Sequence, residues 1–177
     1  MTEDEQVLIK QAISGEEEAF SILYNRYYSF LFKYFLKLTL DEQFSADLCQ
    51  ETMLKAYLRI DSFRSDSKFS TWLISIGSRL YVDKMRKEKR DKSLLQQMKI
   101  ALTRQLKWRA DQQQLDWSEF FEEFNQLEAK TKLPILLHHY YGYTYDEIGR
   151  MLKMKGGTVK SRVYYGIKLI RKEMKEK

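Results

Sequence analysis

Apolar side chains recur at intervals of three and four along most of the chain, which is the period of one face of an α-helix. The longest run predicts a helix over about residues 16–38, whose inner face carries Ala19, Phe20, Leu23, Tyr27, Leu31, Tyr34 and Leu38. Further helices are predicted over about 4–14, 45–60, 69–86 and 145–152, and from 158 onward. No segment alternates as a half-buried strand would. The pattern therefore predicts an all-α protein.

The last two predicted helices form a helix-turn-helix. Residues 154–157 are expected to form the turn, and Thr158 is expected to cap the second helix. The inner stripe of that helix is Val159, Val163, Ile167 and Ile170. Its opposite side carries Thr158, Ser161, Tyr165, Lys168 and Lys172, and Lys160 and Arg162 are further cations of the same helix. Cations and hydroxyls there donate to phosphates and base edges, which favours a DNA-reading helix over the basic, solvated face of an ordinary hairpin.

The helix over 45–60 has two faces of different character. One is expected to be buried and carries Cys49, Met53, Ala56, Tyr57 and Ile60. The other carries Asp47, Gln50, Glu51 and Lys55, with Leu54 and Leu58 interleaved. Leucines among carboxylates indicate a surface that docks on a protein partner. A metal site is the weaker interpretation, because no histidine or third acid stands nearby in sequence.

A polar, aromatic-bearing loop precedes the helix over 69–86. Phe63 is expected to be exposed within this loop, and Trp72, Arg79, Asp83 and Arg86 are expected to share one face of the helix. Aromatic rings stack on unpaired bases and cations bind phosphates, so the segment is typical of single-strand capture. The alternative is that Phe69 and Trp72 are ordinary core residues.

Charge is distributed unevenly along the 177 residues, whose net charge is +6. Residues 84–109 and 150–177 each carry a net charge of +8, whereas 1–83 and 110–149 carry −4 and −6. Two basic blocks are most simply explained by polyanion contact at two separate places. The single cysteine excludes an intramolecular disulfide, and the acidic N-terminus is unlike a secretory signal, so we expect a cytoplasmic protein.

Two blocks of residues resemble the extracytoplasmic-function group of bacterial sigma factors, small two-domain proteins that target RNA polymerase. Residues 47–57 and 62–73 are similar to the second conserved region of that family, and residues 145–149 with 157–162 are similar to the fourth. The resemblance covers about 5–90 and 115–175. It implies a helical domain over 1–90, a basic connector over 91–113 and a helix-turn-helix domain over 114–177.

The resemblance also implies partners for these regions. Core RNA polymerase would bind Asp47, Gln50, Glu51, Leu54 and Lys55. The −10 element would be captured and melted by Phe63, Arg64, Lys68, Phe69, Trp72, Arg79, Asp83 and Arg86. The −35 element would be read by Thr158, Lys160, Ser161, Arg162, Tyr165 and Lys168. No catalysis, metal, cofactor or small-molecule substrate is expected, and an anti-sigma protein, membrane-bound in many relatives, is the expected inhibitor.

Some residues depart from the family pattern. Arg79 stands where relatives commonly have asparagine, and Lys153 stands where they usually have glycine in the turn, so the promoter sequence is not predicted. The alternative function is a helix-turn-helix regulator that is not a polymerase subunit. That alternative explains residues 143–172 equally well, but it leaves the acid–leucine face at 47–58 and the aromatic loop at 61–72 unexplained.

Overall fold

A computed structural model describes residues 3–90 and 119–175, and every regular element in those two ranges is helical. The helices are α1 (Glu3–Ile13), α2 (Glu17–Thr39), α3 (Glu42–Tyr57), α4 (Phe69–Arg90), α5 (Glu119–Gln126), α6 (Ala129–Ile135), α7 (Tyr145–Leu152) and α8 (Gly156–Glu173). A 3₁₀ turn (Ile60–Ser62) follows α3, and a π-helical segment (Leu136–Tyr140) continues α6. The predicted connector over 91–113 lies outside the described residues.

The N-terminal half is built around α2. The predicted inner face of α2 is confirmed, since Leu23, Leu31 and Tyr34 are fully buried, and Phe35 joins them. The hydroxyl of Tyr34 is satisfied by a 2.5 Å hydrogen bond with the hydroxyl of Ser78 in α4. Helices α1, α3 and α4 pack around this face. Burying four large side chains of one helix stabilises the half by about 1.5–3 kcal/mol per side chain.

Helix α3 begins at a side-chain cap and buries most of its predicted face. The carboxylate of Asp41 accepts a 2.8 Å hydrogen bond from the backbone N–H of Phe44, which satisfies one of the unpaired donors of the first turn. Cys49, Met53 and Ala56 are buried as predicted. Tyr57 is different: it ends the helix partly exposed, with its ring edge against Phe20 at 5.0 Å. Its predicted burial is therefore wrong.

The helix-turn-helix is confirmed, but its turn differs from the prediction. A capping box starts α7, in which Thr144 and Glu147 satisfy each other's backbone N–H groups. Lys153, with φ 55°, is the left-handed turn residue. Helix α8 then starts at Gly156 with Lys155 as its N-cap, so the predicted capping role of Thr158 is wrong. A Cβ on Gly149 would lie 2.6 Å from the carbonyl of Met154, so that glycine serves close packing.

The two halves are in contact. Helix α7 packs along α4, and α6 touches both α4 and α2. In the C-terminal half, α6, α7 and α8 enclose a core that includes Leu133, Leu137, Ile148 and Val159. Among the described residues, no helix combines the length and the apolar character that crossing a bilayer would require.

Candidate protein and nucleic-acid interfaces

The predicted protein-docking residues of α3 lie on one exposed face. Asp47, Gln50, Leu54 and Leu58 follow one another at steps of three and four, and we call these four residues the docking face. Leu54 is 57% exposed and Leu58 is 70% exposed. Two adjacent exposed leucines are notable, because the opposite side of the same helix is almost completely buried. The docking face therefore combines two exposed leucines with two exposed polar side chains, on a helix whose other side is well packed.

An open groove runs beside the docking face. Its walls are formed by Phe20, Tyr24, Gln50, Met53, Leu54 and Tyr57. The sequence analysis placed Phe20 and Tyr57 on buried faces, gave Tyr24 no role and missed the groove. The signal that could have found it is the spacing of Phe20, Tyr24 and Tyr28 at intervals of four. This aromatic row starts at the buried Phe20 and continues through the partly exposed Tyr24 and Tyr28, whose rings stack at 5.6 Å.

Glu51 lies at the edge of the docking face and is engaged within the protein. Its carboxylate pairs with the ammonium of Lys84 at 2.8 Å and with that of Lys55 at 3.2 Å. The hydrogen bond from Lys84, followed by that from Lys55, holds the pKa of Glu51 below its ordinary value. The pair with Lys84 joins α3 to α4. Glu51 and Lys55 are thus partly committed to internal contacts, unlike Asp47 and Gln50, which are exposed.

The aromatic residues of the predicted melting segment form a cluster with one another. Phe63 is only 5% exposed and Phe69 only 1%, so the expected exposure of Phe63 is wrong. Ring centroids of Phe63, Phe69 and Trp72 lie 5.3–5.5 Å apart in all three pairings, and Tyr27 of α2 packs on Phe69 at 5.3 Å. The loop folds Phe63 onto the rings at the start of α4 because burying aromatic surface is strongly favourable. Trp72 alone stays half-buried.

The charged residues predicted for the −10 element divide into two groups. Arg64, Lys68, Asp83 and Arg86 are exposed, and the last two form an ion pair at 3.6 Å. Arg79 is only partly accessible: its Nε donates a 2.8 Å hydrogen bond to the carbonyl of Ser75, and burial lowers its pKa. The exposed cations of this set are therefore Arg64 and Lys68 in the loop and Arg86, paired with Asp83, farther along α4.

The outer side of α8 is open along its whole length. Thr158, Lys160, Ser161, Tyr165 and Lys168 are all exposed, and we call them the recognition face. Tyr165 is 66% exposed. The inner stripe packs on the rest of the half, with Val159, Val163 and Ile170 buried. The predicted division of this helix into a buried stripe and an exposed basic face is confirmed.

Arg162, also predicted to bind DNA, makes a contact inside the protein. Its Nη1 donates a 3.0 Å hydrogen bond to the carbonyl of Lys130 in α6. This carbonyl lacks its usual helical donor, because the residue four positions later is Pro134, which has no N–H. Pro134 in α6 thus leaves the carbonyl of Lys130 free to accept the hydrogen bond from Arg162 in α8. The guanidinium of Arg162 is half-buried and fixes the orientation of α8 against α6.

His138 and His139 precede the helix-turn-helix. Nδ1 of His138 lies 2.8 Å from the carbonyl of Tyr143, and its ring lies 4.3 Å from that of Tyr145. In the part of the chain that the structure describes, no three His, Cys, Asp or Glu side chains come together as a metal site. His138 therefore has a structural explanation: it ties the end of the π segment to the start of α7.

Comparison with known proteins agrees with this division into two halves. The family model for Sigma-70 region 2 matches residues 23–91, and that for Sigma-70, region 4 matches residues 119–170. The chain is 29% identical to the ECF RNA polymerase sigma factor SigW of Bacillus subtilis over 95% of both chains. It is 28% identical to the ECF RNA polymerase sigma-E factor of Escherichia coli over 90% of this chain and 88% of the relative.

Solved structures show the same fold. The sigma factor RpoE of Bartonella quintana, solved with the anti-sigma factor NepR, matches 88% of this chain and 96% of its own with a TM-score of 0.64 at 22% identity. CnrH, solved with the cytosolic domain of CnrY, matches 98% of this chain and 99% of its own with a TM-score of 0.65 at 20% identity.

Sigma-70 region 2 in one helical half and region 4, with its helix-turn-helix, in the other define the class of protein as a transcription factor. The chain belongs to the extracytoplasmic-function sigma factors of RNA polymerase. It acts as an alternative sigma factor in transcription initiation, binding core RNA polymerase and directing it to promoters. A regulator outside the polymerase is not favoured, because region 2 matches the very half that this alternative leaves unexplained.

Proposed function

We propose that this sigma factor binds core polymerase through the docking face of α3. The observation that carries the proposal is the exposure of Leu54 and Leu58 next to the aromatic groove. Interface centres are apolar and ringed by polar groups. Leu54 and Leu58 supply the apolar centre, and Asp47 and Gln50 supply polar contacts at its margin. Glu51 and Lys55 lie at the edge, where they orient α3 on α4 as well as contacting the partner.

The test is titration of core polymerase with a Leu54→Ala/Leu58→Ala variant. Loss of two apolar contacts at an interface centre should weaken binding by about 2 kcal/mol or more, roughly 30-fold. Val7→Ala is the matched control, since Val7 is another exposed aliphatic residue, at 54%, on a different helix, α1. Equal affinities of the double variant, the control and the wild type would show that polymerase binds elsewhere.

For the −10 element we infer a smaller contact surface than the sequence alone indicated. Trp72 is the ring available for base stacking, and Arg64, Lys68 and Arg86 are the cations for phosphates. Phe63 and Phe69 support Trp72 from below. Arg79 and Asp83 flank the strand: Arg79 through the part of its guanidinium left free by Ser75, and Asp83 through its exposed carboxylate.

For the −35 element we infer duplex binding by the recognition face. Lys160 and Lys168 neutralise phosphates, while Thr158, Ser161 and Tyr165 reach base edges. Arg162 contributes mainly by holding α8 in place, because its guanidinium bonds to the carbonyl of Lys130. A contact of this kind sets the angle at which α8 enters the major groove.

We also propose that the chain is divided into two functional units and a connector, and that an inhibitor protein regulates it. Residues 1–90 form the unit for polymerase and the −10 element, residues 91–113 connect the two units, and residues 114–177 form the unit for the −35 element.

An anti-sigma protein is the proposed inhibitor, supported by the two relatives whose structures were solved with NepR and with the cytosolic domain of CnrY. Because it would act on core polymerase, we expect this sigma factor to work in the cytoplasm. Co-purification of the sigma factor with chromosomally tagged polymerase tests whether the two proteins form a complex in the cell.

A further inference from the structure

Two side-chain contacts join α1 to α2, and they differ in depth. The carboxylate of Asp4 pairs with the guanidinium of Arg26 at 2.7 Å, and both of these side chains are exposed. One residue farther along each helix, the hydroxyl of Tyr27 donates a hydrogen bond to the carboxylate of Glu5. Glu5 is only 8% exposed. The same two helices are therefore joined by one contact at the surface and by one contact in the interior.

The buried contact has a property that apolar packing would not supply. Replacing both partners of a buried hydrogen bond by apolar groups is often neutral for stability, so two apolar side chains could also join the helices. A hydrogen bond adds direction. The hydroxyl stands at the tip of the Tyr27 ring, so its bond to Glu5 fixes the direction in which the ring points. Burial, followed by the bond to Glu5, raises the pKa of Tyr27, which keeps its hydroxyl protonated as a donor.

The direction of the Tyr27 ring matters because a second ring packs on it. The ring centroids of Tyr27 and Phe69 lie 5.3 Å apart, and those of Phe69 and Trp72 lie 5.5 Å apart. Phe69 is buried, and close-packed interiors transmit small displacements. A shift of Tyr27 would therefore move Phe69 and then Trp72.

Helix α1 also contacts the segment that carries the third ring of the cluster. It touches the 3₁₀ turn Ile60–Ser62, which leads directly into Phe63. The ring of Phe63 lies 5.3 Å from that of Trp72. Both ring neighbours of Trp72 are thus connected to α1, Phe69 through Tyr27 and Phe63 through this turn.

Base capture depends on where the Trp72 ring is held. A half-buried indole can stack on a base only with the part of its surface that it leaves exposed. Groups that are already held in the bound geometry lose less entropy when the ligand arrives. Side chains behind the contacting residue supply that restraint. Because Glu5 is buried, it can influence the captured strand only in this indirect way.

We propose that Glu5 and Tyr27 are positioning residues for promoter opening, and that their hydrogen bond holds the aromatic cluster in the arrangement in which Trp72 receives an unpaired base. This role rests on the −10 function of Trp72 inferred above. Helix α1 precedes residues 23–91, the part of the chain that matches Sigma-70 region 2. It takes part in opening the promoter without touching DNA.

The experiment compares variants of the full sigma factor, assembled with core polymerase, on two templates. Tyr27→Phe removes the hydroxyl and keeps the ring, and Glu5→Leu removes the acceptor. Each should lower transcription from a duplex promoter about 2- to 10-fold, the effect of one net hydrogen bond. Neither should lower transcription from a template whose −10 region is mismatched and already open. Glu5→Gln keeps an acceptor oxygen and should restore most of the duplex activity.

Asp4→Ala is the matched control, because it breaks the exposed contact with Arg26 between the same two helices. It should leave transcription from both templates at the wild-type level. Circular dichroism checks that every variant is folded. Titration with core polymerase checks that its affinity for each variant is unchanged.

Fluorescence reports the position of the Trp72 ring without DNA. The chain has three tryptophans, so Trp108→Phe and Trp117→Phe leave Trp72 as the only one. In the free protein, the two variants that break the buried contact should make Trp72 easier for acrylamide to quench. The control variant should not.

The proposal is refuted if Tyr27→Phe and Glu5→Leu match Asp4→Ala in duplex transcription, whatever the quenching shows. It is also refuted if they lose activity equally on both templates, as a general loss of stability would cause. If they change quenching as expected but Trp72→Ala transcribes normally from duplex DNA, the −10 function of Trp72 fails and the placement of its ring by Glu5 and Tyr27 stands. The two failures are thus distinguishable.

Discussion

The recognition face of α8 and the aromatic cluster of Phe63, Phe69 and Trp72 are both predicted to contact DNA, and they differ in how far the protein itself uses them. The recognition face makes almost no internal contacts, whereas two of the three aromatic rings are buried, and one of them, Phe69, packs on Tyr27 of α2. Polar and charged side chains that share one face of a helix stay exposed to solvent, because burying them without partners is costly. Rings next to a loop do have one, because folding back removes their apolar area from water. Aromatic content in a loop is thus weaker evidence of exposure than charge on a helix.

The largest expected effect comes from removing a ring of the cluster. Phe69→Ala should lower the free energy of unfolding by about 3–5 kcal/mol, because a fully buried ring leaves a cavity. Tyr165→Ala on the recognition face should change it by no more than about 0.5 kcal/mol. Denaturant unfolding followed by circular dichroism measures both. Similar losses in the two variants would remove the contrast drawn between the surfaces.

At Trp72, a role in stacking on an unpaired base can be distinguished experimentally from a role in packing the core. Trp72→Ala should reduce transcription from duplex promoters by roughly 5- to 150-fold, the value of about 1–3 kcal/mol of stacking per captured base. Activity should recover on a template whose −10 region is mismatched and open. Trp72→Phe keeps a ring in the cluster and should retain more activity on duplex DNA. Equal defects of Trp72→Ala on both templates would assign Trp72 wholly to the core.

The salt dependence of promoter binding distinguishes free cations from engaged ones. Lys168→Ala should lower the slope of log affinity against log salt by about one, because one phosphate contact is lost. Arg162→Ala should lower it by less, since its guanidinium already bonds to Lys130. Ser161→Ala should change base preference and leave the slope intact. Holoenzyme binding to a −35 library at several salt concentrations measures all three, and an equal slope change for both cations contradicts this assignment.

The smallest expected effect concerns the edge of the docking face. The pKa of Glu51 is lower in the folded chain, so the folded state binds its proton less readily than the unfolded state. Its pairs therefore contribute stability above the unfolded pKa, and the contribution disappears as pH falls through the folded pKa. Glu51→Gln should cost less than about 1 kcal/mol at neutral pH, since the site is partly exposed. The difference should begin to shrink as the pH falls below about 4.3, the ordinary pKa of glutamate, and should vanish once the pH is below the folded pKa.

Asp66→Asn, which alters an exposed loop carboxylate, is the matched control for that measurement. A pH-independent cost of Glu51→Gln would mean that the amide disturbs packing and that charge has no part in it.

Much of the local structure could be predicted from spacing alone. The bounds of α7 and the inner stripe of α8 follow from helical periodicity, as does the buried side of α3. The turn of the helix-turn-helix could not be predicted, because Gly156 and Gly157 are typical turn residues but here lie within α8, while Lys153 takes the left-handed conformation. Contacts between the halves could not be predicted either. The partners of Tyr141 and Lys132 lie about a hundred residues earlier in the chain, and no local sequence pattern specifies them.

The pairing of Pro134 with Arg162 has a consequence for how promoter preference can change. An alanine at position 134 would supply a backbone amide that competes with the guanidinium for one oxygen, the carbonyl of Lys130. The helix would become more regular, and the recognition helix would lose its tether. A substitution that touches no DNA-facing side chain would thereby alter the angle of approach to the groove. In the proposed −35 complex, the missing N–H of Pro134 would thereby influence base preference although it touches no DNA.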